Sequence, residues 1–158
     1  MNRLMKIEKA TEKDIPELCD LLGLLFTQEA EFRSDRLLQE AGLRKIIDFS
    51  DRGQIFVIWN EGAIIGMISL LFTISTALGG RVAILEDMVV HPDHRGSGAG
   101  SRLLRAAIHH AESVDCRRIT LLTDRSNEAA QRFYNRHGFQ LSDMVPMRLL
   151  LEKIVEDS

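Results

Sequence analysis

Gly96, Gly98 and Gly100 alternate with Ser97, Ala99 and Ser101, and the surrounding stretch "VVHPDHRGSGAGSRLL" runs from β-branched residues through a proline into a leucine pair at helical spacing. A glycine-rich bend between a strand and a helix N-terminus presents backbone N–H groups beside the positive end of the helix dipole, a combination that attracts anions. Glycine also lets a ligand approach the main chain without meeting a Cβ. Phosphate binding is the chemistry this arrangement suggests, with a plain surface turn as the alternative. The spacing excludes two well-defined phosphate loops. A P-loop requires G-x-x-x-x-G-K-[ST], whereas Ser101 and Arg102 follow Gly100. A dinucleotide fingerprint requires G-x-G-x-x-G, but its third glycine would fall on Ser101 counting from Gly96, or on Leu103 counting from Gly98.

The elements that must position this loop follow from the apolar period. "LMKIEKA" predicts a first strand, and Thr11 is the expected N-cap of a helix carrying the stripe Ile15, Leu18, Cys19, Leu22, Leu25 and Phe26. Leu37, Leu38, Ala41 and Ile46 predict a second helix from about Asp35 to Phe49. "IFVIWN", "AIIGMISLLFTIS" and "RVAILEDMVV" read as three antiparallel strands, the first two joined at "NEG". After the glycines, Leu103, Leu104, Ala107, Ile108 and Ala111 mark a helix, "RRITLLT" a strand, and "SNEAAQRFYNRHG" a helix ending at Gly138. The tail "FQLSDMVPMRLLLEK" predicts two further strands around a turn at Pro146.

Composition narrows the function classes. With 158 residues, 45% of them hydrophobic, the chain is expected to form one domain spanning 1–158. A net charge of -3 carries no basic excess for nucleic-acid phosphates. No apolar run approaches the roughly 20 residues that cross a bilayer, and "MNRLMKIEKA" has charges where a signal peptide is apolar, so a cytoplasmic protein without membrane or nucleic-acid partners is expected. Cys19 reads as a small buried hydrophobe and Cys116 as a bystander thiol, since neither belongs to a CxxC pair. His91, Asp93 and His94 crowd together, but Pro92 constrains them and no distant ligand set accompanies them. No metal is expected.

The flanks of the glycines carry a more specific signal. Arg95, Gly98 and Gly100 form Arg-x-x-Gly-x-Gly after "LEDMVV" and a proline, and "NEAAQRFYNRHGF", Asn127 to Phe139, fits Asn-x-x-A-x-x-F-Y-x-x-x-G-F. Together these motifs resemble the GNAT superfamily of N-acetyltransferases. The resemblance implies a single mixed α/β domain, with helices on both faces of a mostly antiparallel, twisted sheet whose two central strands splay into a V. It also implies acetyl-coenzyme A as cosubstrate, its pyrophosphate held by Arg95, Gly96, Ser97, Gly98, Ala99, Gly100 and Ser101, and its pantetheine arm hydrogen-bonded along Met88, Val89 and Val90. Asn127 reads as a helix N-cap, and the likeness also places it near that arm.

Acetyl transfer to an amine by direct attack in a ternary complex requires a neutral amine, a stabilised oxyanion and a proton for the departing thiolate. A thiol titrates near 8.5 and a tyrosine near 10, so a tyrosine hydroxyl can donate to the leaving sulfur. Tyr134, the only tyrosine, stands at the position of the family's general acid, with an aromatic packing role as the alternative. Glu86 matches the acid that deprotonates amine in many relatives. Alternation puts Glu86 with Ile84 and Met88 on one strand face and Asp87 with Leu85 and Val89 on the other, an assignment that a bulge would exchange. Glu29, Glu31 and Asp35 beside Phe26 and Phe32 read as a wall for a cationic amine or as a solvated helix end. The amine is left open among polyamines, aminoglycosides, amino acids and peptide N-termini. A homodimer is the assembly many relatives adopt. A non-catalytic acyl-coenzyme A sensor and a nucleotide-binding enzyme are the rival readings.

Overall fold

The computed structural model describes residues 5–28 and 35–151. Its strands form where β-branched and large apolar residues are densest: β1 Met5–Lys9, β2 Gly53–Asn60, β3 Ala63–Ser75, β4 Gly80–Val90 and β5 Ile119–Leu121. They lie in the order β1-β2-β3-β4-β5; the first three pairings are antiparallel and β4–β5 is parallel. Glu61 and Gly62, with φ of 51° and 80°, close the β2–β3 hairpin as the pair of positive-φ residues that a two-residue turn with the correct twist needs.

Helices α1 Ile15–Gln28, α2 Arg36–Ile47 and α3 Ala99–Ser113 cover the sheet. A 3-10 turn, Glu12–Asp14, leads into α1, and the main-chain N–H and hydroxyl of Thr11 both donate to the Asp14 carboxylate, at 2.8 and 3.3 Å. Asp35 caps α2 by accepting from the N–H groups of Leu37 and Leu38. Ile15, Leu18, Cys19 and Leu22 of α1 and Leu43 of α2 pack with Ile55, Val57, Met67 and Val89. Strand alternation turns Phe56 and Ile58 to the opposite face, where α3 buries Leu103, Leu104, Ala107 and Ala111. A Cβ on Gly66 would come within 3.1 Å of Leu103, so α3 sits close on β3, while the His110 ring lies 5.3 Å from Phe56. Burying a leucine as completely as Leu18 or Leu103 contributes about 2 kcal/mol. Cys19 is in the core and Cys116 half-buried; burial raises both thiols above their ordinary pKa, which keeps them protonated.

The chain divides between Leu122 and Thr123 into two compact units. The first carries the sheet and α1 to α3. The second carries α4, Glu128–Arg136, capped by Asn127, whose side-chain oxygen accepts from the Ala130 N–H at 3.1 Å. At its end Gly138 adopts φ 95°, and the Phe139 N–H turns back to the Tyr134 carbonyl.

The expected pair of tail strands is not formed among the described residues. Residues 139–151 run without strand pairing, and Leu141, Met144, Val145, Met147, Leu149, Leu150 and Leu151 are 68% to 95% exposed. β-propensity makes a strand only where a neighbouring ladder accepts it. Two local features work against such a ladder: the Ser142 hydroxyl takes the Met144 N–H, and Pro146 has no N–H to offer.

Candidate active site

The glycine bend begins where β4 ends. His91-Pro92-Asp93-His94 folds into a 3-10 turn, with the His91 ring nitrogen accepting from the Asp93 N–H and the Ser97 hydroxyl donating to the His94 carbonyl at 2.5 Å. The chain then turns through Gly96 (φ 78°) and Gly98 (φ 86°), the latter being the N-cap of α3. A glycine cap supplies no side-chain acceptor, and the first turn of α3 contains no acidic residue to neutralise the positive pole of the helix. A Cβ on Gly96 or Gly98 would meet no protein atom within 4 Å. These glycines are therefore required by their positive φ and leave open space beside the helix end. Arg95 stands exposed beside them, while Ala99, the first residue of α3, is buried and Ser97 half-buried.

β4 feeds this loop and carries the adjoining carboxylates. Its parallel ladder with β5 runs only through Ala83, Ile84 and Leu85, whereas its antiparallel ladder with β3 continues to Val90. Met88, Val89 and Val90 thus lie beyond the β4 residues that pair with β5 and still pair with β3. At the parting point Ser69 pairs with Asp87 and Leu70 with Leu85, which makes Glu86 the extra residue of a β-bulge. The bulge corrects the alternation expected from sequence: Leu85 and Asp87, two residues apart, fall on opposite faces. Glu86 is exposed. Asp87 joins Val89 on the α1/α2 face, where its main-chain N–H donates to the fully buried Ser69 hydroxyl at 3.1 Å and that hydroxyl lies 3.4 Å from its carboxylate.

On that face is a cavity of about 290 Å³, lined by Leu22 of α1, Leu38, Gln39, Leu43 and Ile46 of α2, the cap Asp35, and Asp87. Sequence reasoning did not reach this cavity or Ser69. A lone serine inside the apolar run "MISLLF" was the available signal. Of the expected amine wall, Asp35 lines the cavity; Glu29, Glu31, Phe32 and the Phe26 side chain lie outside the described residues.

In the second unit, Tyr134 is half-buried, its ring edge-on to Phe133 and Phe139 at centroid distances of 5.2 and 5.6 Å. Burial pushes its phenol up to about 12. As the chain holds a single tyrosine, phenolate absorbance reports this group alone. The folded protein should titrate near 12 and the unfolded chain near the ordinary value of about 10. The folded state binds this proton more tightly, so the stability tied to Tyr134 is intact below pH 10 and is lost as pH rises toward 12. A folded-state midpoint at the unfolded value would show a solvated phenol.

Comparison with known proteins bears on what these groups do. A family model described as the acetyltransferase (GNAT) family matches residues 15–139. An uncharacterized N-acetyltransferase of Bacillus subtilis, YhfO, is 32% identical over 139 residues, covering 86% of this chain and 90% of that protein. Glucosamine 6-phosphate N-acetyltransferase of Trypanosoma brucei brucei is 28% identical over 137 residues, covering 86% and 89%. The fold is also that of the aminoglycoside N-acetyltransferase AAC(6')-Iy in complex with CoA, with a TM-score of 0.79, 19% identity and coverage of 92% and 94%.

Proposed function

The chain belongs to the acetyltransferase (GNAT) family, which makes it an acetyl-coenzyme A-dependent acyltransferase, and from that premise we propose that it acetylates a primary amine of a small molecule or peptide by direct attack in a ternary complex. The observation that carries the reading is the side-chain-free, positive-φ cap of α3 directly after the strand that leaves its neighbour at Leu85. An anion fits the first feature, and an extended arm that needs backbone partners fits the second. In this reading Arg95 to Ser101 hold the pyrophosphate, Met88 to Val90 offer the arm their main chain, and Asn127 combines its capping role with a place near that arm.

The proton balance assigns the remaining roles. The ammonium of the acceptor first loses a proton to a carboxylate of β4. The free amine then attacks the thioester carbonyl, the oxyanion collapses, the C–S bond breaks, and the thiolate takes its proton from Tyr134. Motif position assigns the base to Glu86, acting through water from its exposed place on the bulge. Asp87 is the second reading, favoured by its place in the cavity wall.

Paired substitutions separate the two carboxylates. Glu86→Gln should keep acetyl-coenzyme A affinity and lower amine turnover about 100-fold at neutral pH, with a smaller loss at high pH where more amine is already neutral. If Asp87→Asn shows that profile and Glu86→Gln turns over normally, Asp87 is the base. Thiol release across an amine panel tests the function itself. The relative named for glucosamine 6-phosphate makes that amino sugar one arm of the panel. Binding of acetyl-coenzyme A without thiol release on any amine would support the acyl-coenzyme A sensor instead.

A further inference from the structure

We infer that His91 is a positioning residue for the glycine bend: its neutral imidazole holds the turn that sets Gly96 and Gly98, and protonation at Nδ1 releases that turn and weakens acetyl-coenzyme A binding. The inference rests on the reading that this bend holds the pyrophosphate, and adds a proton-dependent control of that site.

One residue joins the sheet to the loop. The main-chain N–H of His91 donates to the Ile65 carbonyl at 2.7 Å, one step beyond the last β3–β4 pair, Gly66 and Val90. Its ring nitrogen accepts from the Asp93 N–H at 3.2 Å, and its carbonyl from the His94 N–H at 2.9 Å. The His94 carbonyl in turn takes the hydroxyl of Ser97, which stands between the two positive-φ glycines. Main chain, ring and carbonyl of His91 therefore fix the start of the bend, and Ser97 carries that hold to Gly96 and Gly98. A backbone set in place beforehand spares the ligand the cost of ordering it.

An imidazole nitrogen accepts a hydrogen bond only while it carries no proton. Once protonated, Nδ1 is a donor set against the Asp93 N–H, and its favourable partner becomes the Asp93 carboxylate, 3.7 Å away. Closing that gap turns the His91 ring or the Asp93 side chain, and the bond to the Asp93 N–H breaks. The other titratable group that the described residues bring against the ring is His94, edge-on at a centroid distance of 6.2 Å. A proton on His94 sets a like charge beside a protonated His91 and drives the two rings apart. Histidine ordinarily changes charge between about pH 5 and 8, so the turn responds over that range.

The test is calorimetric titration of acetyl-coenzyme A into the full chain at about pH 8 and at about pH 5.5, either side of the ordinary histidine transition. His91→Asn keeps an acceptor for the N–H two residues on and does not titrate. Between the two pH values the wild type should lose about fivefold more affinity than His91→Asn, the worth of one hydrogen bond. Protonation of His94 and of the ligand's own phosphates is common to both proteins and drops out of that comparison. At the higher pH, His91→Ala should bind about fivefold more weakly than wild type, while His91→Asn restores binding to within about twofold. Wild-type affinity in His91→Ala, or the full wild-type pH dependence in His91→Asn, would overturn the inference. Gly98→Glu in the same titration separates that failure from failure of the loop reading. Weakened binding in Gly98→Glu beside unchanged binding in His91→Ala removes only the role of His91. Unchanged binding in a folded Gly98→Glu protein takes the pyrophosphate out of the bend, and the inference falls with it.

Discussion

Replacing Tyr134 by phenylalanine is expected to lower acetyl-transfer turnover by about 100- to 10,000-fold, the usual worth of a positioned general acid, with acetyl-coenzyme A affinity within about twofold of wild type. The substitution keeps the ring and its edge-on contacts with Phe133 and Phe139, so packing survives and only the hydroxyl is lost. With its phenol pushed up to about 12, Tyr134 is a neutral donor throughout the working pH range. Against a thiol near 8.5 in water, full proton transfer from such a phenol is uphill. A thiolate released into a water-poor site is raised by the same desolvation, however, which narrows the gap and favours a strong hydrogen bond that becomes proton transfer as the C–S bond breaks. Single-turnover measurement isolates that step from product release. A chemical step at the wild-type rate in Tyr134→Phe would make Tyr134 a packing residue and leave protonation to water.

The parts of the fold legible in the sequence are those set by local period and turn chemistry. The β2–β3 hairpin needed two positive-φ residues, and "NEG" announced them; the stripe from Leu103 to Ala111 became the buried face of α3. The glycine bend was legible for the same reason, since positive φ at Gly96 and Gly98 is a demand that only certain residue types meet. What alternation misplaced depended on a non-local event. The bulge at Glu86 is set by how β4 registers against Ser69 and Leu70 of β3, eighteen residues or so away, and one extra residue moved Leu85 to the opposite face from Asp87. The cavity was hidden for a similar reason, because Asp35, Leu38 and Asp87 come together only when α1 and α2 pack on the same face of the sheet. The tail shows the converse. Its apolar residues carry strand propensity, but propensity without a ladder leaves them extended to solvent.

If the loop holds the pyrophosphate as proposed, Gly98→Glu should weaken acetyl-coenzyme A binding on the order of 100-fold or more while the protein stays folded, because it would set a carboxylate against that group at close range. The structure separates this effect from simple misfolding. A side chain at Gly98 would project into space with no protein atom within 4 Å of its Cβ, so the steric cost to the fold is confined to the backbone. With φ at 86°, that backbone cost is about 1–2 kcal/mol for an ordinary L-residue and less for asparagine, which visits the left-handed region more readily. Gly98→Asn is therefore the uncharged control: it adds a polar side chain one methylene shorter than glutamate's, tolerates the turn and brings no charge. It should lose at most about tenfold in affinity, chiefly by filling the space beside the α3 N-terminus. Calorimetric titration with acetyl-coenzyme A, alongside thermal unfolding of both variants, reads the two contributions apart. Equal weakening by asparagine and glutamate would mean that bare backbone, rather than the positive pole of α3, is what the ligand needs. Wild-type affinity in a folded Gly98→Glu protein would remove the pyrophosphate from this loop altogether.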